Sequence, residues 1–250
     1  MGRKIIALGH KARQGKDTVG EYLKTKHNFY IYHFAQPLRD EVENVKRKGI
    51  PLLSVVPTPG SGCYVGNETF PANHPITQAT YAFFKACVDD KNCKIVRRAG
   101  ATYGIFDLYD VSPAMYKKLL QFWGTDFRRS QDPNYWVKAT ADHIEQLDED
   151  QDIALCDLRF PNEMSYVKEI GGVTVKINRT LPDGTSYDKL DDGDARNQNH
   201  ASEHALDGAD FDYYLDNPDG DLPRLYENVE RMLKAIEAGE PIDIYDAEHM

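Results

Sequence analysis

The sequence predicts an α/β fold in which a central, mostly parallel sheet carries helices on both faces. Short apolar runs near 5–8, 29–34, 152–156 and 173–177 show little alternation, as expected of strands buried on both faces. Most of these runs lead into a segment with helical spacing, and Gly, Pro and Asn punctuate the joins. The length of 250 residues, with 41% hydrophobic content, suits one such domain with insertions.

The run Ile5, Ile6, Ala7, Leu8 stops at Gly9, and a loop leads into a helix expected at about 16–26 with an apolar stripe of Val19, Tyr22 and Leu23. A second strand is expected at 29–34, followed by a helix at about 37–48 with Pro37 in its first turn. From about 49 to 104 the chain is crowded with Pro, Gly, Asn and Ser, which reads as a largely loop insertion containing one helix near 76–88. Helical spacing returns after Pro113 through Met115, Leu119, Leu120 and Phe122, and Asp132-Pro133 announces a helix at about 134–147. Then come a strand at 152–156, a helix at 162–170 stopped by Gly171-Gly172, and a strand at 173–177. Residues 181–200 have almost no apolar content and read as a lid-like excursion, before a short strand in DYYLDN and a closing helix at 222–238. The expectation is one domain over 1–250, with the insertion and the excursion as its additions.

Charge and cysteine content narrow the function classes. With 30 Lys+Arg against 40 Asp+Glu the formal charge is −10, which disfavours a polymeric nucleic-acid partner but not a small anion met by a local cluster of cations. Cys63, Cys87, Cys93 and Cys156 are too few for a disulfide framework and contain no C-x-x-C pair, so unpaired thiols in a reducing compartment are expected. Cys87 and Cys93 resemble half of a metal site with no matching pair nearby, and no zinc is assigned. No stretch reaches the apolar length of a membrane span, and the start MGRKIIALGH lacks a signal-peptide core, so a cytoplasmic protein is expected.

The strongest local signal is G-H-K-A-R-Q-G-K-D-T at 9–18, between a buried strand and a helix N-terminus. Backbone N–H groups around Arg13 to Lys16 could wrap phosphates, Gly15 would allow close approach, and Lys16 would reach the outer oxygens at the positive end of the helix. The spacing departs from G-x-x-x-x-G-K-[ST]: Gly9 stands one residue early, His10 occupies the first-Gly position, and Asp17 followed by Thr18 replaces the hydroxyl after lysine. An ordinary βα turn with a solvated lysine is the alternative. It is the weaker one, because Lys11, Arg13 and Lys16 would repel one another at a helix N-terminus unless an anion lay between them.

With that loop, the blocks H-F-A-Q-P-L-R (33–39), W-G-T-D-F-R-R-S-Q-D-P-N-Y-W-V (123–137), C-D-L-R-F-P-N-E (156–163), K-I-N-R (176–179) and H-A-S-E (200–203) give a chain that resembles the deoxynucleoside monophosphate kinases of bacteriophages, in the P-loop nucleoside monophosphate kinase group. Gly-Lys-Asp-Thr is usual there, which accounts for Asp17 but not for the extra residue at His10. The resemblance implies a P-loop NTPase three-layer fold and transfer of a phosphoryl group from ATP, with Mg2+, to a deoxynucleoside monophosphate in the host-cell cytoplasm.

Lys11, Ala12, Arg13, Gln14, Gly15, Lys16, Asp17, Thr18 and Arg179 would hold ATP, and Lys16, Arg13, Arg128 and Arg129 would be catalytic. Arg39, Gly124, Thr125, Asp132, Trp136, Arg159 and Glu163 would hold the acceptor, and Asp17, Thr18 and Asp157 would face the metal. Within this set Gly124 is expected to bring a turn. Several alternatives stay open on sequence alone. Arg39 and Arg179 also fit surface charges, Trp136 a core residue, and Arg159 with Glu163 an i,i+4 pair. His200 and Glu203 have no derived role, and a plain N-cap at Ser202 accounts for them almost as well. Phe83 and Phe84 offer either a subunit-pairing surface for a homodimer or core packing. Another small-molecule P-loop kinase, acting on dephospho-coenzyme A or phosphomevalonate, is the nearest rival function, ahead of a non-catalytic nucleotide-binding module.

Overall fold

The structure, a computed structural model, describes residues 2–9, 11–47, 53–55, 62–88, 95–97, 104–106, 113–187, 201–240 and 243–244. In chain order its elements begin with β1 (Ile5–Gly9), α1 (Lys16–His27), β2 (Tyr30–His33), α2 (Gln36–Arg47), β3 (Leu53–Val55), β4 (Cys63–Val65), β5 (Glu68–Phe70) and α3 (Pro75–Val88). β6 (Ile95–Arg97), β7 (Gly104–Phe106), α4 (Pro113–Gln121) and a π-helical stretch, Phe122–Arg129, follow. The chain continues through α5 (Tyr135–Ile144), β8 (Ile153–Leu158), α6 (Pro161–Glu169), β9 (Val173–Thr180), α7 (Ala201–His204), β10 (Tyr213–Pro218), α8 (Leu222–Ala238) and β11 (Asp243–Ile244). Contacts divide the chain into two compact units: Met1–Ala35, Val137–Asp192 and Gln198–Met250 form the first, Gln36–Trp136 and Gly193–Asn197 the second.

The first unit is an α/β structure on a parallel sheet of order β2-β8-β1-β9-β10, with the two-residue β11 added in parallel at the edge. All five residues of β1 are buried, because helices cover both of its faces. Ile6 and Leu8 pack with Val19 and Leu23 of α1 and Val229 and Met232 of α8. Ile5 and Ala7 face the other way, toward Ile144 of α5 and Met164 and Val167 of α6. This is the expected three-layer arrangement. Local chemistry sets the ends: Asn28, left-handed at φ 59, closes α1 and turns the chain straight into β2, while the Asp221 side chain accepts the Arg224 N–H and Gly239 closes α8. Among the described residues no helix is long and apolar enough to cross a membrane.

The second unit differs from the expectation of a largely loop insertion. Strands β5-β4-β3-β7-β6 form an antiparallel sheet, and α3 occupies the place foreseen for a helix at 76–88. Strands this short show no legible two-residue period, so the Pro and Gly between them dominated the sequence signal. The unit has its own core, in which Cys63, Val65, Ile76, Met115, Leu119, Trp123 and Phe127 are fully or almost fully buried. Phe83 and Phe84 belong to this core and are under 10% exposed, so they do not present the apolar surface considered for subunit pairing.

Candidate functional site

The loop between β1 and α1 has the backbone that its sequence demands. Arg13 (φ 62) and Gly15 (φ 101) are both left-handed, and α1 begins directly after Gly15. A Cβ at Gly15 would stand 2.3 Å from Asn217 Nδ2, so only glycine suits this position. Asn217, at the carboxyl end of β10, donates from Nδ2 to the Gln14 carbonyl at 2.8 Å. His10 lies outside the described residues.

Lys16 is the focus of the site. Its side chain is 5% exposed, and Nζ donates to the Lys11 carbonyl. Burial first, and the charge of Arg159 second, lower its pKa from 10.5 to about 8, against the opposing pull of Asp157, Asp17 and Glu203. A cation held this deeply at a helix N-terminus suits an anion. The other basic residues of the loop do not share its burial. Arg13 is exposed, and Lys11 is half-buried, 3.8 Å from Asp207. Ala12 is buried, while Asp17 is exposed and Thr18 half-buried in the first turn of α1.

Asp157 arrives by a β-bulge. Ala7 of β1 pairs with Leu155 of β8 but Gly9 pairs with Leu158, so β8 holds one extra residue, and Asp157 there adopts φ 65. Bulges re-aim side chains, and a left-handed non-glycine residue is costly unless its surroundings hold it. His33 Nδ1 lies 3.0 Å from Asp157 Oδ2. Burial alone would raise the Asp157 pKa, but the His33 hydrogen bond and the charges of Arg159 and Lys16 more than offset it, and the carboxyl sits well below its usual range. Burial pushes the adjacent Cys156 thiol up to about 12, which leaves it inert.

Arg159 and Glu163 do not pair as an i,i+4 couple. Glu163, 2% exposed, instead accepts the backbone N–H of Arg159 at 2.7 Å and of Phe160 at 3.0 Å, so it caps α6. The Arg159 guanidinium turns to the buried Glu203 of α7 at 2.9 Å. Ser202 lies inside α7 rather than at its N-cap, and His200 is outside the described residues. Arg179, at the end of β9, pairs with Asp219 and lies 4.7 Å over the Tyr187 ring. Of the expected excursion, 181–187 is described and 188–200 is not.

The remaining expected residues belong to the second unit. The π-helix, rather than a turn, runs through Gly124 and Thr125. A Cβ at Gly124 would come within 2.9 Å of Leu38 Cδ2, which explains the glycine as close packing. Arg128 is committed internally. Its Nε donates to Glu41 at 2.7 Å, Nη1 meets Glu68 at 2.6 Å, and the guanidinium lies 4.4 Å from the Phe127 ring centroid and 5.0 Å from that of Tyr135. Glu41 also accepts from Trp123 Nε1 at 3.1 Å and the Tyr135 hydroxyl at 2.9 Å. Arg129 Nη1 donates to the Pro133 carbonyl at 3.0 Å, and Asp132 Oδ1 accepts the Asn134 N–H at 3.0 Å just before α5. Trp136 is a core residue, 3% exposed, with Nε1 donating to the Gly124 carbonyl at 2.9 Å. Arg39 is exposed on α2.

Within the first unit the structure therefore assembles Lys16, Asp17, Asp157 and Arg159 into one electrostatic group, with His33 and Glu203 as partners to which sequence reasoning gave no role. His33 stood in a quoted block without a role, and nothing in the sequence links strand-end residues that lie 124 positions apart. Asn217 and Asp219 carried no motif at all. No model of a known protein family matches the chain, and no curated protein matches it. What the structure establishes is an α/β fold on a five-strand parallel sheet with helices packed around it.

Proposed function

We propose that this protein is a P-loop kinase that moves the γ-phosphoryl group of ATP to a deoxynucleoside monophosphate. The observation that carries the reading is Lys16: a buried ammonium at the start of α1, behind a loop with two left-handed residues, at the carboxyl end of a parallel strand. Ligands of open parallel sheets bind at that end, and buried charges with strongly shifted pKa values cluster at functional sites. The resemblance in sequence supplies the acceptor class.

In this reading Lys16 and the amides of 11–16 bind the β and γ phosphates, and Arg159, held by Glu203, adds positive charge beside them. Mg2+ needs few carboxylates beyond phosphate oxygens, and Asp157, Asp17 and the Thr18 hydroxyl are of that donor type. The cation would neutralise phosphate charge. Transfer is direct attack by an acceptor phosphate oxygen on the γ-phosphorus, bond to the β–γ bridging oxygen breaking as the new one forms, with no covalent enzyme intermediate. The chain's residues orient and neutralise, which is most of what this reaction requires.

A kinase acting on a different small phosphorylated acceptor, such as dephospho-coenzyme A or phosphomevalonate, is the second reading, because the Lys16 loop would serve any of them. A coupled assay with MgATP over common deoxy- and ribonucleoside monophosphates, with those two compounds in parallel, separates the readings. ADP release dependent on a deoxynucleoside monophosphate is expected. Binding of MgATP without turnover on any acceptor would reject both in favour of a nucleotide-binding module.

A further inference from the structure

The side chain of Gln14 does something that phosphate contact does not require. It is 3% exposed, between the left-handed residues Arg13 and Gly15. A primary amide so deeply buried needs both an acceptor for its N–H groups and a donor for its oxygen. Both come from one hairpin. Gln14 Nε2 donates to the Tyr187 carbonyl at 2.6 Å, and Oε1 accepts the Arg179 N–H at 2.5 Å.

The hairpin's own pairing shows what this means. Tyr187 N–H donates to the Arg179 carbonyl at 2.7 Å, and Thr180 bridges Ser186 in antiparallel fashion. In an antiparallel hydrogen-bonded pair the two residues exchange both bonds. Here one of the two is routed through the Gln14 amide, which is inserted between the Arg179 N–H and the Tyr187 carbonyl. From the other side Asn217 holds the Gln14 carbonyl, so backbone and side chain of this one residue are gripped by the ends of β9 and β10.

We propose that Gln14 is a positioning residue that couples anion occupancy of the 11–16 loop to closure of the 179–187 hairpin. The inference rests on the nucleotide reading of that loop and adds the element that transmits it. The amide can serve both hairpin groups only while the loop keeps its left-handed turns. An anion that stabilises those turns stabilises the hairpin, and by linkage the closed hairpin tightens anion binding by the same factor. Glutamine is the residue type this requires. Glutamate has no N–H for the Tyr187 carbonyl, and methionine fills the space without either bond.

The test compares wild type with Gln14→Met and Gln14→Asn by amide hydrogen exchange, free and with saturating MgADP, alongside MgADP calorimetry. In wild type, MgADP is expected to slow exchange across 179–187. In Gln14→Met the Arg179 amide should exchange about tenfold faster in the free protein, MgADP should bind about tenfold more weakly, and its protection of the hairpin should vanish. Gln14→Asn, which keeps a neutral amide but is one methylene too short to span both hairpin groups, should fall between, and it carries the comparison alone if the methionine variant does not fold. A purely structural glutamine would lower the melting temperature and leave the ADP-linked protection intact; that result overturns the coupling while the nucleotide reading stands. Wild type that fails to bind MgADP removes the nucleotide reading and the coupling with it.

Discussion

Replacing Lys16 with methionine is expected to abolish the phosphoryl transfer proposed above and, at the same time, to make the free protein more stable. In the folded state burial, helped by the charge of Arg159, lowers the Lys16 pKa from 10.5 to about 8. At about 1.4 kcal/mol per pH unit, holding this ammonium costs the fold roughly 3 kcal/mol at neutral pH. Methionine keeps the length, removes the charge, and leaves the Lys11 carbonyl without its Lys16 donor, at a loss of about 1 kcal/mol. A net gain on the order of 1–3 kcal/mol is therefore expected. The pH dependence gives a sharper check. Below about pH 8 the lysine is protonated in both folded and unfolded chains and the penalty is complete. Between about pH 8 and 10.5 the unfolded chain binds more protons, so wild-type stability rises relative to the variant and the gap narrows. Equilibrium urea unfolding of both proteins at neutral and alkaline pH measures this directly. A variant less stable than wild type at neutral pH, or a gap that does not narrow on the alkaline side, refutes the reasoning.

Other perturbations separate structural from chemical roles. Glu163→Ala removes the acceptor of two backbone N–H groups in a buried setting and should destabilise the protein by roughly 2–3 kcal/mol, read as a fall in melting temperature, with Glu163→Gln recovering part of the loss. Gly15→Ala places a methyl group against Asn217 in a left-handed residue, so MgADP affinity measured by calorimetry should fall by at least an order of magnitude, with a stability cost of about 1–3 kcal/mol. Arg128→Met leaves Glu41 and Glu68 without their cation, and should destabilise by about 3 kcal/mol in chemical denaturation. A variant that keeps full stability and loses only turnover would mean that Arg128 acts on substrate, as its sequence context implies, rather than as an internal strut.

The elements with their own periodicity or punctuation were legible. Helix α8 was foreseen at its observed ends because apolar spacing, an N-terminal Asp-Leu-Pro and a terminal glycine agree there. The left-handed Gly15 and the buried Lys16 at the start of α1 fall where a short strand–loop–helix pattern placed a glycine and a lysine, because that order is set within a few positions. The antiparallel sheet of the second unit was not, since three-residue strands show no period. Glu163 shows what spacing alone leaves undecided. Its spacing from Arg159 left a side-chain pair open beside a substrate-side role, but at the third position of a helix its carboxylate gains more from orphan backbone N–H groups, and Arg159 was free to take Glu203.

Sequence alone determined the alternation of strands and helices, the glycine at the loop's left-handed turn and the lysine behind it, because each follows from interactions between residues close along the chain. Only the tertiary structure decided that Asp157 enters through a bulge held by His33, that Arg159 answers Glu203, that Trp136 is core, and that Gln14 bridges a hairpin more than 160 residues away. Those choices depend on which strand ends become neighbours in a parallel sheet. Neighbours of that kind are set by the packing of distant segments, and no local pattern encodes them.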